Sequence, residues 1–323
     1  VFKGFFYYAQ WIRPFLPVFD DIACIDLSYL KDFIVCEEIL CFFKAKELLN
    51  TELDLIGLFE QPNSQPLVHI QPRADLLNQF VQLIREQMGS TIVKNVIRKR
   101  EEKAKQNLKS CRKAINQCFA KFSKLLVIRV DFAFKPPLEN LTPYCPDELQ
   151  HPFHSEDALQ SLKELIAQLL RNRRHNKILN QIKGYILKFE HGLKKGFHVH
   201  ALFFMDGNLH QSDGYFAHEI TKYWKKLTND RGCTYNCHMA KHKYKTLCIG
   251  MIGYTDTAKR KALDDCVQYF CKKEQYFMFN KLKSIRTIQT SQPPQRGSNA
   301  GRPRKVVKTV NATLLNNSDK GVL

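Results

Sequence analysis

The spacing of hydrophobic and polar residues divides the chain into a helical first part and a second part in which strands and helices alternate. In the first part, apolar residues recur at helical spacing over residues 28–49, 73–88 and 90–122, which predicts three helices. Ser28 is a candidate N-cap for the first of them. We therefore predict that residues 1–120 form a mainly helical accessory region.

From about residue 121 the pattern changes to short runs that are rich in β-branched and aromatic residues. These runs predict strands at 125–134, 184–191 and 197–205, with one or two more near 233–238 and 247–254. Helical spacing predicts three helices between and after them, at 155–174 with Ser155 at its start, at 213–228 capped by Asp213, and at 257–283. This order predicts an α+β fold over residues 121–285, with a central antiparallel sheet and helices packed on its face.

Charge changes this picture by pointing to a partner. The chain has 50 Lys and Arg against 31 Asp and Glu, a net charge of +19, which favours a nucleic acid as partner. Residues 286–323 are rich in Gln, Ser, Pro, Gly, Asn and Arg, so we predict a disordered basic tail. Within it, Arg302, Arg304 and Lys305 form a short Arg-Pro-Arg-Lys segment that could enter a narrow minor groove of duplex DNA. A generic basic tail is the alternative interpretation.

The sequence is not typical of a membrane protein or of a protein stabilised by disulfide bonds. No run reaches the ~18 apolar residues of a membrane span, and we expect no membrane association. The 11 cysteines are scattered through apolar stretches, which is typical of reduced thiols in a cytoplasmic protein. The spacing of Cys233, Cys237, His238, His242 and Cys248 matches no strong zinc pattern. We interpret this group as core thiols and surface histidines.

A His-Val-His sequence on a predicted strand is the first candidate for chemistry. Because side chains alternate along a strand, His198 and His200 project from the same face and could share one divalent ion. If the preceding hairpin turns at Lys194, Glu190 lies opposite His198 and adds a carboxylate to the pair. Asp131, on the predicted strand 125–134, is the alternative third ligand or a supporting residue.

A tyrosine on the last predicted helix is the second candidate. Tyrosine can attack a phosphodiester and form a covalent phosphotyrosine, but its phenol needs activation. On a helix, Tyr269 would share one face with Lys272, Lys273 and Tyr276, and Lys272 could stabilise the developing charge. A packing role is the alternative for both tyrosines, and it is favoured for Tyr276.

Together these motifs resemble the HUH endonuclease superfamily. The residues that carry the resemblance are the run 189–204 with its two histidines, the strand 126–134, and the segment 269–275, which reads Tyr-x-x-Lys-x-x-Gln. The amino-acid sequence around the hairpin is similar to that of the replication initiators of filamentous phages and prophages, the YagK/YfjJ C-terminal domain family. The order of the motifs, with the tyrosine after the histidines, is also the order in replication initiators.

The resemblance implies a specific activity. It implies Tyr269 as nucleophile, Mg²⁺ or Mn²⁺ at His198, His200 and Glu190, and a nick in single-stranded origin DNA that leaves a 5′-phosphotyrosine and primes rolling-circle replication. The partners would be single-stranded DNA, duplex DNA through the basic tail, and replication proteins of a bacterial host. A transposase or mobilisation relaxase with the same chemistry is one alternative, and a non-catalytic DNA-binding regulator is the other.

Overall fold

The computed structural model describes residues 33–49, 70–135, 154–192, 195–244, 247–272 and 277–293. The helices of these ranges are α1 (Glu37–Leu48), α2 (Ile70–Gly89), α3 (Thr91–Lys121), α4 (Glu156–Arg171), α5 (Asp213–Leu227) and α6 (Thr257–Cys271). The strands are β1 (Phe33–Val35), β2 (Lys124–Phe134), β3 (Ile182–Gly192), β4 (Gly196–Asp206), β5 (Gly232–Asn236), β6 (Gly250–Gly253), β7 (Phe277–Phe279) and β8 (Ile288–Thr290). The predicted α+β class is confirmed.

The main sheet is antiparallel and is built around a long hairpin. Its strand order is β5–β2–β4–β3–β8, and β6 also pairs with β2. The first half of β2 pairs with β6 and the second half pairs with β5, so these two short strands follow one another along the same edge. At the centre, β4 is hydrogen-bonded to β2 on one side and to its hairpin partner β3 on the other.

Helices cover both faces of this sheet, whereas the sequence predicted helices on its face without distinguishing two layers. Val199, Ala201 and Phe203 of β4 point to one face, where α4 and α5 pack. Leu202 and Phe204 point to the opposite face, under α3 and α6. The alternation along one strand therefore assigns His198 and His200, which have even numbers, to the face covered by α3 and α6.

Helix α3 connects the sheet to the helices that precede it. Its second half packs on the sheet through Cys111, Ile115 and Phe119. In its first half, the guanidinium of Arg100 binds Glu37 and Glu38 at the start of α1, with an N···O distance of 2.6 Å to each carboxylate. The division of the chain at residue 120 stays a prediction, because α3 contacts both parts.

Three sequence expectations about helices are wrong. The predicted helix 28–49 contains strand β1 and begins only at Glu37, and the last helix ends at Cys271 instead of residue 283. In both cases the cause is a pairing between distant segments, since β1 and β7 form a small two-stranded sheet. Asp213 is the first residue of α5, while Ser212 occupies the N-cap.

Other expectations about local structure hold, fail in part or lie outside the described residues. Ser155 caps α4, where its hydroxyl accepts a hydrogen bond from the Ala158 N–H at 3.1 Å. Tyr276 and residues 294–323, with Arg302, Arg304 and Lys305, lie outside the described residues. Residues 286–293 of the predicted disordered tail are described, and there the prediction is wrong, because β8 (Ile288–Thr290) pairs with β3 in the main sheet. None of the helices in the described ranges combines the length and the apolar character needed to cross a bilayer.

Candidate metal centre

The β3–β4 hairpin determines which side chains face each other at the candidate site. Glu190 pairs with His198, and Lys188 pairs with His200, which confirms the register expected from a turn at Lys194. The last residue pair before the turn is Gly192 and Gly196. Gly196 has a φ of 57°, a left-handed conformation that glycine adopts without steric cost. A carboxylate and two imidazoles therefore meet on one face of a rigid hairpin.

The ligand atoms of these three side chains lie close enough together to bind a single ion. Glu190 Oε2 is 3.2 Å from His200 Nε2 and 3.7 Å from His198 Nε2, and one ligand atom from each residue lies within 4.8 Å of the others. Neighbouring ligand atoms around an octahedral divalent ion lie about 3 Å apart when each is about 2.1 Å from the metal. Two imidazoles and one carboxylate also leave coordination positions for water and phosphate oxygens.

Asp131 lies behind His200, on strand β2 next to the central strand β4. In the β2–β4 register it is directly opposite His200, and its Oδ1 is 2.8 Å from His200 Nδ1. The contact is close but poorly aligned, because neither buried atom has a hydrogen bond of good geometry. The ring nitrogen that contacts Asp131 is the one turned away from Glu190, so Asp131 is suited to orient the imidazole. This arrangement favours Glu190 as the third ligand and Asp131 as the supporting residue.

The electrostatics of the site favour a cation between the carboxylates. Burial would lower the pKa of His200, but the carboxylates of Asp131 and Glu190 outweigh it and raise the pKa to about 9. Burial and the charge of His200 lower the pKa of His198, whose Nδ1 lies 3.1 Å from the Gly196 carbonyl. The pKa of Glu190 is lowered, because the histidines and Lys188 together overcome the effect of its burial. These donors fit a divalent cation, which would take the place of the proton on His200.

Two cations on the same face had no predicted role. Arg129 lies beneath α6, with its guanidinium carbon 5.2 Å from the centre of the Phe270 ring and its Nε 3.9 Å from Asp131 Oδ1. Lys188 is buried, and burial lowers its pKa. Strand alternation could have identified both, because Arg129 shares a face with Asp131 and Lys188 shares one with Glu190.

Helix α6 packs on this face through Phe270, the residue that follows the candidate nucleophile Tyr269. The Phe270 ring packs on the sheet with its centre 5.7 Å from that of His200. The preceding residue, Tyr269, is 63% exposed, so its side chain is open to solvent. Lys272 is also exposed and follows the last helical residue, and its backbone N–H donates to the Tyr269 carbonyl at 3.3 Å. Lys272 therefore lies at the C-terminal end of the helix, and Lys273 and Tyr276, which were predicted on the same helical face, lie outside the described residues.

His238 has a structural role that the sequence did not indicate. The sequence favours a surface histidine at this position, but His238 is buried. Its Nε2 accepts a hydrogen bond from the Arg129 backbone N–H at 3.1 Å, and its Nδ1 lies 2.9 Å from Asp213 Oδ2. Nδ1 must then carry the proton that Asp213 accepts. His238 thus links α5 to the strand that carries Arg129 and Asp131.

Comparison with known proteins assigns the chain to a family. The family model of the YagK/YfjJ C-terminal domain matches residues 87–284. The matched region spans more than half of the chain and includes the hairpin, Asp131 and helix α6. No curated protein and no solved structure shows significant similarity to the chain.

Proposed function

The chain belongs to the YagK/YfjJ C-terminal domain family, and from that premise we propose that it is a metal-dependent endonuclease of the HUH type that nicks and rejoins single-stranded DNA. The observation that carries the proposal is the convergence of Glu190, His198 and His200 within 4.8 Å on the sheet face beneath α6. Glu190, His198 and His200 would hold Mg²⁺ or Mn²⁺. The net charge of +19 agrees with a polyanionic substrate.

The proposed reaction uses Tyr269 as nucleophile. When bound, the divalent ion supplies Lewis-acid polarisation of the scissile phosphate. The Tyr269 hydroxyl forms a new P–O bond, and the bond from phosphorus to the 3′ oxygen of the preceding nucleotide breaks. The phenol proton goes to solvent, and the released 3′ oxygen takes up a proton to become a free hydroxyl. Attack of that hydroxyl on the phosphotyrosine reverses these changes and rejoins the strand.

The cations near the site would assist by stabilising negative charge. Lys272 lies one helical turn after Tyr269, at the end of α6, where its exposed side chain could contact a phosphate oxygen. Arg129 and Lys188 contribute positive charge to the buried side of the same face. Because a phosphoryl transfer develops charge on several oxygens, such cations lower its barrier.

A covalent-adduct assay tests the proposal. Overlapping single-stranded oligonucleotides from the genomic region that encodes the chain are incubated with the protein and Mg²⁺ or Mn²⁺, and adducts are detected after denaturation. We expect a metal-dependent adduct for the wild type, none for Tyr269→Phe, and none for His198→Ala. The matched control is Tyr215→Phe, since Tyr215 is an exposed helical tyrosine on α5 and should leave the adduct unchanged.

The narrower proposal is initiation of rolling-circle replication in a bacterial host cell. A nick that leaves a free 3′ hydroxyl provides a primer, which host replication proteins would extend. Adduct formation only on transposon-end or transfer-origin DNA would instead support a transposase or relaxase. DNA binding that is unaffected by chelator and by His198→Ala, without any adduct, would support a non-catalytic regulator.

A further inference from the structure

A second positively charged surface lies away from the metal centre, and we call it the basic concavity. It is an open depression of about 750 Å³ lined by Lys121, Arg171, Arg174, His175 and Lys183, together with Arg173 and uncharged residues. Among the described residues that line it, none is Asp or Glu. The depression is therefore a continuous patch of positive charge with a concave shape.

The basic concavity is separated from the metal centre along the sheet. Lys183 lies near the start of β3 and Glu190 lies near its end, seven residues further along. At about 3.3 Å per residue, this spacing corresponds to roughly 23 Å. The concavity thus lies at the end of the sheet opposite the hairpin turn, too far away for its side chains to contact a phosphate at the metal centre.

Stabilisation of helix ends does not account for this amount of charge. Lys121 ends α3 and Arg171 ends α4, and cations at helix C-termini are favourable. Each helix end carries a partial charge of about −0.5, so two ends offset about one of the five Lys and Arg charges. Roughly four positive charges remain on the concave surface.

The lining cations differ in how firmly they are held. Arg173 is fixed, since its Nε donates to the Leu170 carbonyl at 3.0 Å and its guanidinium lies over the Tyr185 ring. Lys183 donates to the neutral Asn180 carbonyl at 2.9 Å, and no carboxylate of the described ranges forms an ion pair with it. Arg171 and Arg174 are exposed, and no carboxylate of the described ranges forms an ion pair with either. Arg171, Arg174 and Lys183 are therefore available to an anionic ligand.

We infer that the basic concavity binds the phosphate backbone of duplex DNA. Among the described residues that line it there is no Phe, Tyr or Trp, and His175 is the one aromatic ring, so the surface offers mainly charge and little area on which successive unpaired bases could stack. A duplex presents its phosphates outward with its bases covered, and contacts of this kind position DNA without reading its sequence. The inference adds to the proposed function a separate anchoring site for the double-stranded DNA beside the cleaved strand.

Binding measurements with a charge-neutral variant test the inference. Fluorescence anisotropy is recorded for the full chain with a labelled 20-base-pair duplex as the salt concentration is varied. For Arg174→Gln/Lys183→Gln we expect about tenfold weaker binding near 100 mM salt and a salt slope smaller by about 2. The matched control is Lys94→Gln/Lys99→Gln, which removes two exposed lysines roughly 33 Å or more from Lys121 along α3.

The outcomes separate this inference from the proposed nuclease activity. Equal weakening in the two variants would overturn it, because binding would then depend on net charge alone. Loss of affinity for a single-stranded oligonucleotide but not for the duplex would also overturn it. A short single strand should still form the Tyr269 adduct in Arg174→Gln/Lys183→Gln. If the wild type forms no adduct on any DNA, the nuclease proposal fails, while the duplex measurement still decides the role of the concavity.

Discussion

Substitution of Glu190 by Gln is the sharpest test of the metal centre. The change keeps the size of the side chain but removes the charge and one strong ligand from the group formed with His198 and His200. The amide oxygen of Gln is a weaker ligand for a hard divalent ion than a carboxylate. We therefore expect Glu190→Gln to fold as the wild type does and to bind Mn²⁺ much more weakly.

The expected size of the effect follows from linkage between binding and stability. Loss of a residue that only supports a metal ligand costs 10–100-fold in affinity, so loss of a ligand should cost about 100-fold or more. With free metal at about 100 times the wild-type Kd, binding stabilises the folded wild type by about 2.7 kcal/mol. The same metal concentration stabilises a variant with 100-fold weaker binding by only about 0.4 kcal/mol. For a domain of 150–250 residues these energies correspond to Tm increases of roughly 5–11 °C and about 1 °C.

The assay is thermal unfolding with and without Mn²⁺, and the Tm increase is compared within each variant. This comparison cancels any effect of the substitution on the metal-free protein. Glu164→Gln is the matched control, because Glu164 is an exposed glutamate on α4 at the opposite face of the sheet. If Mn²⁺ raises the Tm of Glu190→Gln as much as that of the wild type, the assignment of Glu190 as a ligand is refuted.

The remaining predictions concern support of the site and stability. Asp131→Asn should weaken Mn²⁺ binding by about 10–100-fold in calorimetric titration, because the contact that orients His200 loses its charge; unchanged affinity would contradict that role. Ser155→Ala should remove the cap of α4 and lower the free energy of unfolding by about 1 kcal/mol in urea titration, with no effect on metal affinity. Although burial raises the pKa of Glu38, its hydrogen bonds, chiefly with Arg100, lower it below 4.5 overall. The ion pair therefore stabilises the fold above about pH 4.5. The difference in free energy of unfolding between the wild type and Arg100→Met should decrease as the pH falls through the lowered pKa of Glu38. A difference that stays constant with pH would contradict this.

Features that depend on neighbouring residues could be predicted from the sequence. Alternation along β4 put His198 and His200 on one face, and the short turn fixed the register that pairs Glu190 with His198. Both are local, because a tight hairpin determines its own pairing. The α+β class and the helices α2, α3 and α4 followed from periodicity in the same way.

Features that depend on contacts between distant segments were decided by the tertiary structure. The contact of Asp131 with His200 requires the β2–β4 register, which joins strands about 70 residues apart. Helix α6 ends at Cys271 and β1 forms near residue 33 because β1 pairs with β7, and no local pattern indicates that partner. The approach of Phe270, the residue after Tyr269, to His200 likewise depends on how α6 packs on the sheet. Local periodicity records only which face of an element is apolar, whereas the partner of that face is chosen by burial over the whole fold.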